Sequence, residues 1–174
     1  MVSILMIIAP ENFRDEEYFE PKKIFEENGF SVTTASSRTG KAFGMLGGTE
    51  KIKIRIDEVS PGEYDAVVLV GGGGASIFFE DKALHALLQS FYDKGKLVAA
   101  ICVSPTTLAN ARLLEGKQAT VWKDEKLIQN LKNKGAHYTA LAVTVDGRII
   151  TASGPAAAKE FGAEIASFLK EKVE

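Results

Sequence analysis

From Ser3 to Ala9 the chain reads SILMIIA, an apolar run of the kind found in strands covered on both faces, as parallel strands are. Ala66 to Val70 and Lys96 to Ile101 repeat the pattern, and both predict buried strands. Phe30 to Ala35 predicts another. Lys51 to Ile56 (KIKIRI) alternates charged and apolar residues, as a half-exposed strand would. Residues 36–48 are polar and glycine-rich and are expected to form a loop or an irregular hairpin.

Helical signals fill the intervals. Asp15, Glu16 and Glu17 open a segment that runs to Asn28-Gly29, and Pro21 inside it marks an expected kink or restart. Asp81 predicts a cap for a helix that carries Leu84, Leu87, Leu88 and Phe91 on one face and stops at Gly95. Ser104 and Pro105 read as N-cap and first residue of a helix to about Leu113. A strand at 118–122, a helix at 124–134 and a strand at 138–145 follow. Asp146-Gly147 turns the chain into a strand at 148–152, and a last helix covers about 156–172. This alternation predicts an α/β fold: one domain over 1–174, a mostly parallel sheet between two helical layers, and any site at the carboxyl ends of the strands near the topological switch point.

Composition narrows the partners. The chain has 174 residues, 45% hydrophobic and 25% charged, which excludes disorder and fibres. A net charge of -2 without a Lys/Arg cluster argues for a small molecule rather than nucleic acid. The opening apolar run stops at Pro10, too short for a signal peptide or a membrane span, so the expected location is cytoplasmic, with no membrane partner. One cysteine forms no internal disulfide, and His85 and His137 stand outside any metal-ligand spacing, so neither metal nor cofactor is expected.

That cysteine, Cys102, lies where VAAI passes from strand to helix in VAAICVSPTT. A lone cysteine is commonly a buried packing residue. The alternative is a nucleophile elbow, a strained strand-to-helix turn that needs small residues two before and two after, here Ala100 and Ser104. At such a corner the positive end of the next helix is expected to ionise the thiol near neutral pH, and the Val103 amide would face an oxyanion.

Gly71-Gly72-Gly73-Gly74 makes a poor dinucleotide loop: Gly71, Gly73 and Ser76 lack the final glycine, the run does not follow the first strand, and Asp93 falls inside a predicted helix. It serves equally as a turn needing positive φ or as a second set of oxyanion donors. Glu17 either complements a helix macrodipole or, if buried beside the sulfur, stays protonated and moves a proton. His85 and His137 read as packing or surface residues, since neither falls at a strand's carboxyl end.

With these residues in place, the sequence resembles the ThiJ/PfpI superfamily over essentially its whole length. The resemblance rests on EEYFEP with Glu17 four residues before Pro21, on EYDAVVLVGGGG, on VAAICVSPTTLA and on ITASGPAAAKEFG. It implies a flavodoxin-like three-layer sandwich, a homodimer or larger assembly, an oxidation-prone Cys102 partnered by Glu17, and an oxyanion pocket from the amides near Gly71, Gly72 and Val103. Activities in such families include glyoxalase III conversion of methylglyoxal to lactate, removal of early glycation adducts, peptide hydrolysis and redox-dependent chaperoning. Two positions depart from the pattern: Val103 stands where PfpI-type peptidases carry a histidine, and Trp122 stands where the deglycase branch carries one. The resemblance therefore points to slow, cysteine-dependent chemistry on small reactive carbonyls or glycated substrates. Redox sensing is the alternative, and peptide hydrolysis the weakest reading, because it needs a base.

Overall fold

The computed structural model describes residues 1–173. In chain order the elements are β1 (Ser3–Ile7), β2 (Glu11–Phe13), α1 (Asp15–Glu27), β3 (Ser31–Ser36), β4 (Gly40–Gly44), β5 (Thr49–Ile52), β6 (Ile54–Arg55), β7 (Ala66–Leu69) and α2 (Lys82–Asp93). There follow β8 (Leu97–Ile101), α3 (Pro105–Asn110), β9 (Gln118–Ala119), α4 (Glu125–Asn133), β10 (His137–Tyr138), β11 (Val143–Asp146), β12 (Ile149–Ala152) and α5 (Ala158–Val173). A seven-stranded sheet in the order β11-β12-β8-β7-β1-β3-β6 forms the middle layer. Every pairing in it is parallel except β11 with β12, the hairpin that Asp146-Gly147 closes. The three-layer, mostly parallel α/β sandwich expected from the sequence is therefore the fold.

The apolar runs explain the layering, because successive strand side chains point to opposite faces. Ile4, Met6 and Ile8 join Phe25 of α1 and Phe161 and Ile165 of α5 in one core, while Leu5, Ile7 and Ala9 join Leu84, Leu88 and Phe91 of α2 and Leu108 of α3 in the other. The strand order reverses between β1 and β7, so the loops leaving these two strands face each other across the switch point.

Several local expectations are corrected. Residues 36–48 contain β4 and its turn toward β5, the hairpin of the two alternatives, whereas KIKIRI is split: β5 pairs antiparallel with β4, and β6 pairs parallel with β3. The 138–145 segment likewise divides into β10 and β11, separated by an irregular stretch across which the Thr139 and Thr144 hydroxyls bond to each other. Helix α1 runs unbroken through Pro21, which packs against α5 where Gly162 leaves room: a Cβ there would lie 2.9 Å from Pro21 Cα. Asp81 does cap α2, accepting a bond of 3.1 Å from Leu84 N. Ser104 does not cap α3 through its side chain; its hydroxyl instead donates to the Val70 carbonyl at 2.8 Å and ties the end of β7 to the turn after β8.

Candidate active site

Cys102 follows the last residue of β8 and adopts φ 66°, a left-handed conformation that is uncommon and strained for a residue with a Cβ. The backbone around it holds the strain in place. Cys102 N still donates to Ala152 of β12 at 2.9 Å, its carbonyl accepts from Trp122 N at 2.7 Å, and Ser104 N turns back to Ile101 O at 3.1 Å. Ala100 and Ser104, both buried, supply the small flanks. The elbow geometry expected from the sequence is present.

The glycine run brings a second loop against it. A Cβ on Gly71 would lie 2.6 Å from Cys102 Cβ, 2.7 Å from Glu17 Oε1 and 2.7 Å from Ile101 O. One hydrogen in place of a side chain is thus what lets thiol and carboxyl converge. Gly72 has φ +102°, and a Cβ there would meet Arg14 N at 2.5 Å and Asn12 O at 2.6 Å. A Cβ on Gly74 would collide with Glu11 O. The run therefore serves close packing as well as turning: it seats residues 11–14 on the end of β7, and Arg14 N bonds to Gly71 O at 3.0 Å.

Glu17 sits in the first turn of α1 and is fully buried. Neither carboxyl oxygen makes a hydrogen bond of full geometry. Loss of hydration pushes its pKa from 4.5 up to about 8, with the Cys102 thiol, Arg14 and the Gly71 amide opposing the rise. At neutral pH the carboxyl is protonated.

The same burial reverses the expected ionisation of the thiol. Cys102 is 7% exposed, and its pKa rises from 9.0 to about 12, first through desolvation and then through the charge of Glu17. The amides of Gly72 and Val103 face the sulfur and pull the other way without overcoming burial. Helix α3 is only six residues long, too short to supply a full macrodipole. The resting pair is a neutral thiol beside a neutral acid, not a thiolate.

Trp122 flanks the elbow on the β12 side, 45% exposed, with its ring against Gly154, where a Cβ would come within 2.8 Å. His85 is buried on α2 with Nε2 2.9 Å from the Phe79 carbonyl, and His137 is exposed on β10. Among the described residues no group of three or more His, Cys, Asp and Glu side chains could hold a metal ion. A hollow of about 610 Å³ lies between α2 and the Ile56–Pro61 segment and contains neither Cys102 nor Glu17. Its lining includes Ser37, Ser90, Asp57 and Asp81 but neither cysteine nor histidine, so convergent chemistry rather than hollow size identifies the site.

Arg14 escaped the sequence reading. It forms an ion pair with Glu16 at 3.0 Å, and both side chains are 30% exposed. The signal was available: a lone cation stands directly before the acids of RDEE, at a helix start where negative charge is favoured.

The DJ-1/PfpI family pattern matches residues 2–167. An uncharacterized protein of Methanocaldococcus jannaschii is 43% identical over 172 residues, covering 98% of this chain and 84% of its own length. A deglycase of Thermococcus kodakarensis is 32% identical over 151 residues, 87% of this chain and 90% of that one. The crystal structure of a ThiJ/PfpI domain protein from Brachyspira murdochii superposes with a TM-score of 0.93 at 36% identity, covering 97% of this chain and 96% of the other.

Proposed function

The chain belongs to the DJ-1/PfpI family, and from that premise we propose that it is a cysteine-dependent catalyst acting on small α-dicarbonyls, of the glyoxalase III or deglycase type. The observation that carries this reading is the convergence at Gly71 of the Cys102 side chain and the Glu17 carboxyl. Cys102 is the nucleophile, Glu17 the acid and base, and the Gly72 and Val103 amides the oxyanion donors. In its ionised form Glu17 takes the thiol proton as the sulfur bonds to the aldehyde carbon. The carbonyl π pair moves to oxygen, is stabilised by the amides, and picks up that proton to give a hemithioacetal. Glu17 then carries a proton from this carbon to the neighbouring ketone carbon. The first is oxidised to a thioester as the second is reduced to an alcohol. Water releases lactate from methylglyoxal and restores the thiol.

The resemblance implies slow turnover, because it places histidines where Val103 and Trp122 stand here, and a positioned base usually contributes about a hundredfold to ten-thousandfold. Peptide hydrolysis fits worst, since a leaving amine needs a further proton donor. Lactate formation from methylglyoxal should vanish in Cys102→Ser and fall steeply in Glu17→Ala; equal rates in all three proteins reject the reading.

A second reading, redox sensing, draws on the protonated Glu17. A neutral carboxyl donates a hydrogen bond to an oxygen placed on the sulfur, so two equivalents of peroxide would yield a stabilised sulfinic acid and two waters. Intact mass after mild peroxide should show two added oxygens on Cys102; a thiol oxidised only after unfolding argues against it.

We also read the chain as cytoplasmic and at least dimeric. No described helix is long and apolar enough to cross a membrane. Phe43, Met45 and Leu46 are exposed on and after β4, beside Phe19 of α1, whose ring a Cβ on Gly48 would meet at 2.6 Å. An apolar patch of this kind suits a second copy of the chain. A monomer in sedimentation at micromolar concentration rejects this.

A further inference from the structure

Neither reading uses the guanidinium beside the site. A guanidinium carries five N–H donors on a planar fork. In Arg14, Nε (3.2 Å) and Nη2 (3.0 Å) both donate to Glu16 Oε2, which occupies one edge of the fork. The other edge, Nη1 with the second hydrogen of Nη2, has no protein partner among the described residues. It retains access to solvent, the side chain being 30% exposed.

The backbone places Arg14 at the site. Arg14 N bonds to the carbonyl of Gly71, the residue wedged between Cys102 and Glu17, and is packed directly against Gly72. The charge of Arg14 is felt by both Glu17 and Cys102. Glu16 completes the arrangement at a cost, since its Oε1 is buried without a hydrogen-bond partner. An unsatisfied buried oxygen is tolerated only where something compensates it, and here the compensation is the same carboxylate's Oε2, which clamps the cation by one edge and leaves the other open.

We propose that Arg14 is a specificity-determining residue that selects carbonyl substrates bearing a carboxylate next to the reacting centre, so that the preferred substrate is an anionic α-oxoaldehyde rather than methylglyoxal. The inference rests on Cys102 being the nucleophile. Two parallel N–H groups on the open edge match the two oxygens of a carboxylate, and one guanidinium balances its single charge.

The test avoids turnover. Iodoacetate and iodoacetamide alkylate a thiol by the same displacement of iodide and differ in a carboxylate against a neutral amide. The ratio of their rates cancels the ionisation of the sulfur. Cys102 is the sole cysteine, so intact mass reads it directly. The full chain is compared with Arg14→Gln, Glu16→Gln, Arg14→Lys and the double variant Arg14→Gln with Glu16→Gln, each checked for an unchanged far-ultraviolet spectrum. The double variant removes cation and counterion together, so net charge at the site is preserved.

The iodoacetate-to-iodoacetamide ratio should drop about tenfold in the double variant, the size of a lost charge-assisted hydrogen bond. It should rise in Glu16→Gln and fall only partly in Arg14→Lys. An unchanged ratio in the double variant overturns the proposal. So does a drop in Arg14→Gln that the double variant restores, since that marks only the uncovered Glu16 charge. If neither reagent labels native Cys102 while both label the urea-unfolded chain, the nucleophile reading falls, and this inference with it.

Discussion

Replacing Glu17 by glutamine isolates the energetic consequence of burying a carboxyl at the elbow. The amide keeps the shape of the protonated acid and cannot ionise. In the unfolded chain Glu17 loses its proton near 4.5, whereas in the folded chain it holds the proton up to about 8. Between those values the folded state binds the extra proton, so rising pH favours unfolding; the loss begins near 4.5 and levels off above about 8. At about 1.4 kcal/mol per pH unit, the wild-type chain has given up about 3 kcal/mol by pH 7. The glutamine variant lacks this dependence.

The two proteins should therefore be equally stable near pH 4 and diverge as pH rises, with Glu17→Gln ahead by about 3 kcal/mol at pH 7. For a chain of this size that is a rise of roughly 6–12 °C in melting temperature. Urea unfolding followed by circular dichroism at half-unit steps from pH 4 to 8 measures it. Cys102 does not interfere, because its own window opens only above 9.0. Parallel stability curves for the two proteins would refute the reasoning, since they would mean that the native carboxyl titrates as it does in the unfolded chain. A variant that is more stable and less active would also show that the site is maintained against folding stability.

The same ionisation should appear in reactivity. The first proton to leave the thiol–carboxyl pair leaves near pH 8, so alkylation of Cys102 by iodoacetamide should climb through that pH, and in Glu17→Gln the climb should move above the ordinary thiol value of 9.0; a rate already flat from pH 6 upward would contradict this. Gly71→Ala must displace Cys102 Cβ and the Ile101 carbonyl, which would lie 2.6 and 2.7 Å from the new methyl. It should cost about 1–3 kcal/mol and abolish dicarbonyl turnover, whereas Gly73→Ala, with nothing within 4 Å of its Cβ, should leave both untouched. Equal melting curves for the two alanine variants would count against the close approach. Cys102→Gly should be at least as stable as Cys102→Ala in thermal melts, because φ is 66° there. At an ordinary φ alanine wins by about 0.4–1 kcal/mol, and finding that order here would remove the strain.

What the sequence discloses and what it withholds divide along a physical line. Strand faces are written in residue order: Ile4, Met6 and Ile8 against Leu5, Ile7 and Ala9 is a two-residue period, and it sorts correctly into the two cores. The elbow is equally local, since a small-x-Cys-x-small spacing before a proline accommodates a strained strand-to-helix turn, and Cys102 adopts it. Elements fixed by neighbours distant in sequence were harder to read. β4 and β5 exist through pairing with each other and with β2, and Ser104 spends its hydroxyl on Val70 rather than on its own helix.

Charge state is the extreme case, because it depends on a balance that no spacing reveals. The elbow contributes Gly72 and Val103 amides that favour a thiolate, where the sequence pointed to the helix end for ionisation and to these amides as oxyanion donors. Packing Glu17 against Gly71 removes water from both groups and adds a like charge whenever the acid ionises. Desolvation wins because it is the largest influence on each member of the pair, outweighing the Gly71 amide at Glu17 and the Gly72 and Val103 amides at the sulfur. Activation must then come from the pair losing one shared proton rather than from the corner by itself. This makes Glu17 more consequential than the helix end that first drew attention to Cys102, and it gives the open edge of Arg14 a further effect: an anion docked there adds negative charge beside the pair and favours its fully protonated form. Binding of a carboxylate substrate should therefore shift the rise in reactivity to higher pH.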